Sequence, residues 1–126
     1  MTRLLTVLTA CLMAGMAWAA DVTREEIRRT AVPGSDTMIV VVSKLTVPPG
    51  ATIALHTHAG DEHAVVITPT KAQAPNGNVL EFPIGATLYF PEGQVHGGLT
   101  NIGAADMVAI TTQIVRGDAP LSTPVN

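Results

Sequence analysis

Cysteine is all but missing from this sequence. The single Cys11 lies in an apolar stretch at the start of the chain, so the rest can form no disulfide and offers no thiolate to a metal. Aromatic residues are scarce, at 3%. Beyond Trp18 only Phe82, Tyr89 and Phe90 remain, which excludes a broad stacking platform for sugars or bases. Positive charge is also thin. Seven basic residues face ten acidic ones, and the basic residues are few and scattered, so nothing points to nucleic acid. Long hydrophobic runs are limited to one, Leu4 to Trp18, which is short of the ~18 or more residues that a membrane span needs. No internal repeat, low-complexity tract or helical period follows it.

What is present at the start reads as an export signal. Arg3 supplies a positive flank, the apolar run follows, and Ala17-Trp18-Ala19 makes a small-residue cleavage site ahead of the polar run Asp21 to Glu26. Leu8-Thr9-Ala10-Cys11 resembles a bacterial lipobox, but cleavage there would cut the apolar run short, so lipidation is the weaker reading. No twin-arginine pair precedes the run, which fits export of an unfolded chain. The expected division is a signal peptide over 1–19, one folded domain over 20–117 and a loosely ordered tail over 118–126. The expected location is the periplasm or outside the cell, with no membrane attachment after cleavage.

The remaining sequence reads as short β segments punctuated by Gly and Pro. Strands are predicted over Glu26–Val32, Thr37–Val47, Ala51–His58, Glu62–Thr68, Val79–Phe82, Ala86–Phe90, Val95–Thr100 and Met107–Val115. Asn76-Gly77 marks a tight hairpin. About eight short strands at this spacing indicate an all-β sandwich or barrel rather than a parallel sheet.

The chemistry-bearing residues cluster. His56 and His58 are two apart on a predicted strand, so both project from one face. The turn Ala59-Gly60-Asp61 reverses the chain and brings Glu62 beside His58. Two imidazoles and a carboxylate suit a borderline divalent metal. His63 alternates to the opposite face and reads as a surface or interface residue. Same-face neighbours Ala54, Ala64, Val66 and Gly98 are small and leave space beside the ion. Tyr89 is a candidate phenol for the pocket, and Gln94 and Gln113 are candidate hydrogen-bond partners of a ligand.

Two motifs carry a family resemblance. Gly50, five residues, His56, one residue, His58, three residues and Glu62 is similar to the first cupin motif. Gly85, five residues, Pro91, one residue, Gly93, two residues and His96 is similar to the second. Pro69 stands where the family pattern has Gly, and Asn101 comes one residue later than the pattern's Asn. The resemblance implies an antiparallel jelly-roll (cupin) β-barrel with a metal in its mouth. Carried over by position, it implies His56, His58, Glu62 and His96 as the metal ligands.

Cupins include dioxygenases, oxalate-degrading enzymes and germin-like proteins, so the resemblance implies oxidoreductase chemistry. A protein folding outside the cytosol takes the metal available there, and the general affinity order favours copper, then iron or manganese. Three histidines with at most one carboxylate leave an open coordination position for oxygen, peroxide or substrate. Glu62 and Tyr89 are the candidate catalytic residues, and the substrate is a small molecule or a polysaccharide cleaved oxidatively. The alternatives are a non-catalytic metal- or ligand-binding module, and a metal-dependent isomerase or lyase. A homodimer is expected, joined through an apolar edge such as Ile39 to Val42.

Overall fold

The computed structural model describes residues 20–126. The export signal read over 1–19, and Cys11 with it, lies outside the described residues. The described chain is all-β and antiparallel. Strands β1 (Thr23–Ala31) and β2 (Met38–Val47) form a hairpin closed by the Val32 N–H bond to Met38 O at 3.0 Å. Next come the two-residue β3 (His56–Thr57), then β4 (Gly60–Thr68) and β5 (Thr70–Gln73). They are followed by β6 (Val79–Phe82), β7 (Thr87–Phe90) and β8 (Thr100–Asn101). The long β9 (Met107–Arg116) and the short β10 (Thr123–Pro124) complete the order.

A five-stranded sheet has the order β1-β2-β9-β4-β7, and a three-stranded sheet the order β6-β5-β8. β10 pairs with β3. Strand β9 shows the alternation that makes such a barrel. Met107, Ala109, Thr111, Gln113 and Val115 are buried, while the residues between them face out. The core forms in two clusters along the interior, Val47, Ala51 and Met107 in one and Val66, Ala72 and Phe82 in the other.

Several expectations need correction. The segment read as one strand over Ala51–His58 keeps a ladder only at His56–Thr57. Opposite it, Val95–Thr100 joins through the single bridges Thr52↔Thr100 and His56↔His96. Gly97 and Gly98 take φ of 100° and 71°, which breaks the pleat after His96. A side chain at Gly97 would run into the Ala54 carbonyl, so glycine is what lets these two segments close up beside the histidines. The link Pro69–Ile84 contains the unforeseen strand β5. Ile39 to Val42 is not an edge, because β1 covers β2 on its open side. The edge on that side is β1, which carries Glu25, Glu26, Arg28 and Arg29, charges that discourage strand addition. The tail is not loose either: Thr123 and Pro124 pair with Thr57 and His56, and the Val125 N–H donates to Leu55 O at 3.0 Å.

Candidate metal centre

His56 lies on β3, and His58 follows it before the turn into β4. Gly60 begins β4 where a side chain would strike the Ile114 carbonyl across the ladder, so only glycine lets β4 approach β9 this closely. Two residues on, Glu62 points into the barrel, opposite Gln113 of β9 and Phe90 of β7. His96 arrives from the bridge to His56. One ligand atom from each of His56, His58, Glu62 and His96 lies within 4.8 Å of all the others. His56, His58 and Glu62 are buried, and His96 is half-buried.

The imidazoles share one orientation. His56 Nδ1 faces Ala54 O at 2.7 Å, and His96 Nδ1 faces Gln94 O at 3.0 Å. His58 Nδ1 faces the carbonyl of Leu121. With each Nδ1 turned to a backbone carbonyl, all three Nε2 atoms turn to the centre. His56 Nε2 and His58 Nε2 are 3.2 Å apart, and Glu62 Oε2 lies 2.8 Å from His58 Nε2 and 3.4 Å from His96 Nε2. Three ring nitrogens and one carboxylate oxygen that converge, with each outer nitrogen facing a backbone carbonyl, are the donor set a divalent transition metal requires once the inner nitrogens are free of protons. The residues fit the group.

Arg24, which the sequence reading passed over, holds the far side of the carboxylate. Its Nη2 donates to Glu62 Oε1 at 3.1 Å and its Nη1 to Thr111 Oγ1 at 2.6 Å. Burial pushes the Glu62 carboxyl up, but the His58 hydrogen bond and the Arg24 charge outweigh it and hold the pKa down to about 2. Burial lowers the His56 pKa below its ordinary value, partly offset by the bond to Ala54. Both shifts favour the deprotonated forms that bind metal. Arg24 was missed because its strand was read as starting at Glu26, whereas the ladder begins at Thr23 and turns Arg24 inward opposite Leu45.

Other sequence candidates go elsewhere. Tyr89 does not reach the pocket: it is 54% exposed, stacks on His63 at 4.8 Å and donates to Asp61 at 3.3 Å. It pairs with His63 on β4, and alternation gives the inward position to Phe90, which stacks on His96 at 4.0 Å. Gln94 contributes its carbonyl rather than its amide. Gln113 is fully buried beside His58, with Nε2 2.8 Å from Nδ1 and Oε1 without a partner. Ala64 and Val66 line the cavity as expected, but Gly97 does so in place of Gly98. Gly98 instead sits against Pro75 and Leu55. Asn101, one residue late in the motif, fixes its own turn by donating to Val47 O at 2.8 Å and Ala105 O at 2.9 Å.

The site opens onto a cavity of about 70 Å³ in the barrel interior. Its wall is mostly aliphatic and aromatic. The titratable groups lining it among the described residues are Arg24, His56, Glu62 and His96.

No family model matches the chain, and no curated protein matches it. Solved structures do. A protein with a double-stranded β-helix domain from Klebsiella pneumoniae is 23% identical, with a TM-score of 0.57 over 84% of this chain and 85% of that one. The polyketide cyclase RemF from Streptomyces resistomycificus is 19% identical, with a TM-score of 0.60 over 86% of this chain and 73% of that one. The DMSP lyase DddQ from Ruegeria pomeroyi is 17% identical, with a TM-score of 0.57 over 82% of this chain and 50% of that one.

Proposed function

We propose, from the premise that this chain has the cupin fold, that it is an exported mononuclear metal-dependent oxidoreductase acting on a small, largely apolar molecule. Copper is the first choice of metal, then iron or manganese. The observation that carries the reading is the make-up of the cavity. Three Nε2 atoms and Glu62 Oε2 converge at one end, and the rest of the wall has no titratable side chain except Arg24, which is already paired. Such a wall can position a substrate and exclude water but has little means to shuttle protons. The chemistry is then left to the metal, which in the copper or iron form supplies one-electron steps and a place for oxygen or peroxide to bind.

Glu62 serves this reading as a ligand rather than a base. Its Oε1 is tied to Arg24, its Oε2 faces the histidines, and a carboxyl held at about pKa 2 is a weak proton acceptor near neutral pH. Phe90 stacks on His96 and holds that ring against the apolar wall. A cavity of about 70 Å³ has room for several waters or one small molecule, which favours a small substrate over a polysaccharide chain. Export rests on the N-terminal sequence, Arg3 through Ala19.

A lyase or isomerase is the second reading, supported by the presence of a lyase and a cyclase among the solved structures of this fold. It predicts turnover with zinc and no oxygen requirement. A binding module without turnover predicts that His96→Ala lowers metal affinity and nothing else. Elemental analysis and electron paramagnetic resonance on protein from its exported compartment, followed by oxygen and peroxide uptake with a reductant, separate the three. A redox-silent metal and no uptake would sink the oxidoreductase reading.

The protein is further proposed to be a homodimer, joined through the outer face of the five-stranded sheet rather than an edge. Val40 and Val42 of β2, Ile110 and Ile114 of β9 and Val65 and Ile67 of β4 give that face an apolar share, interrupted by Lys44 opposite Ile110, Asp61 opposite Ile114 and His63 opposite Thr112. Val65, Ile67 and Ile114 are 40%, 49% and 40% exposed.

A further inference from the structure

The geometry points to the C-terminal segment as part of the metal centre, where the Leu121 carbonyl acts as a positioning group for His58. The inference rests on the metal-site reading above and concerns which nitrogen of His58 faces the ion.

Each of the three imidazoles turns Nδ1 to a backbone carbonyl, but the carbonyls differ in origin. Those for His56 and His96 come from Ala54 and Gln94, two residues earlier on the same segment, and are present whenever that segment is extended. The one for His58 comes from Leu121, 63 residues away, across the barrel mouth. It is brought there by the pairing of Thr123 and Pro124 with Thr57 and His56, and by the Val125 N–H on Leu55 O.

The surroundings of His58 make that carbonyl decisive. Gln113 Nε2 stands 2.8 Å from the same Nδ1 and donates to Leu121 O at 3.2 Å. An amide N–H can only donate. If it donates to Nδ1, that nitrogen is bare and the ring proton sits on Nε2, pointing at Glu62 Oε2. A ring in that tautomer has no lone pair for a metal. If Nδ1–H instead donates to the Leu121 carbonyl, Nε2 offers its lone pair to the centre, and the amide turns its proton to the same carbonyl. Leu121 O thus decides between two forms of one ligand, and Gln113 steadies it. With the carbonyl gone and the amide in its present rotamer, the Gln113 N–H on Nδ1 favours the tautomer that cannot bind.

The test uses Co(II), whose visible bands report ligand geometry, added to the metal-free protein and to a chain ending at Pro120. Affinity is measured by competition with a chromophoric chelator, and circular dichroism with thermal melting checks the fold. Strands β1 to β9 end before residue 117, so the shortened chain is expected to keep the barrel spectrum. Its Co(II) affinity is expected to fall about 10–100-fold with shifted bands, in the range seen when a ligand's hydrogen-bond partner is lost. Val125→Pro, which removes the N–H bonded to Leu55 O while keeping the chain length, is expected to move both readouts the same way by less. It decides the matter if the shortened chain fails to fold. Equal affinity and unshifted bands in the variants overturn the role of the tail while leaving the metal site standing. Failure of the full-length protein to take Co(II) overturns both.

Discussion

At the residue scale the centre depends on a few atoms held by their outer contacts. Replacing His96 by Ala removes one of three Nε2 donors, and metal per chain by elemental analysis is expected to fall toward zero while the fold survives, since His96 is the least buried of the four. Arg24 gives a sharper test through pH. Glu62 has a folded pKa of about 2 against an ordinary 4.5, so the stabilisation it contributes is complete above about 4.5 and is lost as pH falls toward about 2. In the metal-free protein that contribution is on the order of 3 kcal/mol. Arg24→Met removes the paired charge from a buried carboxylate. The acid-unfolding midpoint followed by circular dichroism is expected to move to higher pH, and an unchanged midpoint would show that the ion pair does not hold Glu62. The four converging residues were legible because two spaced motifs fix them. Arg24 was not, because placing the start of β1 three residues late hid its inward position, and Leu121 was not, because no side chain marks a carbonyl.

At the scale of elements, alternation and turn residues carried the long strands well. β2, β4 and β9 run close to where β-branched residues and the Pro-Pro-Gly and Ala-Gly-Asp breaks place them. Most of the short pieces failed for a physical reason: β3, β8 and β10 gain their hydrogen bonds from partners far along the chain, which local propensity does not encode. β5 instead pairs with its neighbour β6 across the Asn76-Gly77 turn, and was missed because Thr70–Gln73 carries little β signal of its own. Gly60 is the element on which the site's register turns. Gly60→Ala sets a methyl against the Ile114 carbonyl and is expected to cost ~1–3 kcal/mol, read as a lower urea midpoint, together with weaker metal binding as Glu62 shifts.

At the scale of the whole molecule, strand count and spacing gave an all-β sandwich or barrel, the two motifs narrowed it to the jelly roll, and the surface proposed for association was not legible. Sequence pattern marked Ile39 to Val42 as apolar, and only the sheet order shows that β1 covers its edge and leaves a face instead. Strands ~4.8 Å apart with ~3.3 Å per residue give the three strands that carry these residues roughly 400 Å², about half of the ~800 Å² per partner of a standard interface, so the contact would have to take in neighbouring residues as well. Light scattering at micromolar concentration is expected to give twice the chain mass. The double variant Val65→Glu, Ile114→Glu is expected to give a single chain mass with its metal site intact, and a wild-type monomer would count against the face.

The order of parts along the chain sets a timetable. All four side chains of the proposed metal site precede Leu121, so if the chain is exported N-terminus first, as proposed, it presents them before the carbonyl proposed to turn His58 toward the ion. High-affinity capture would then wait until nearly everything has emerged. A nascent molecule stalled half-way through a translocation channel would not trap an ion it could not carry through.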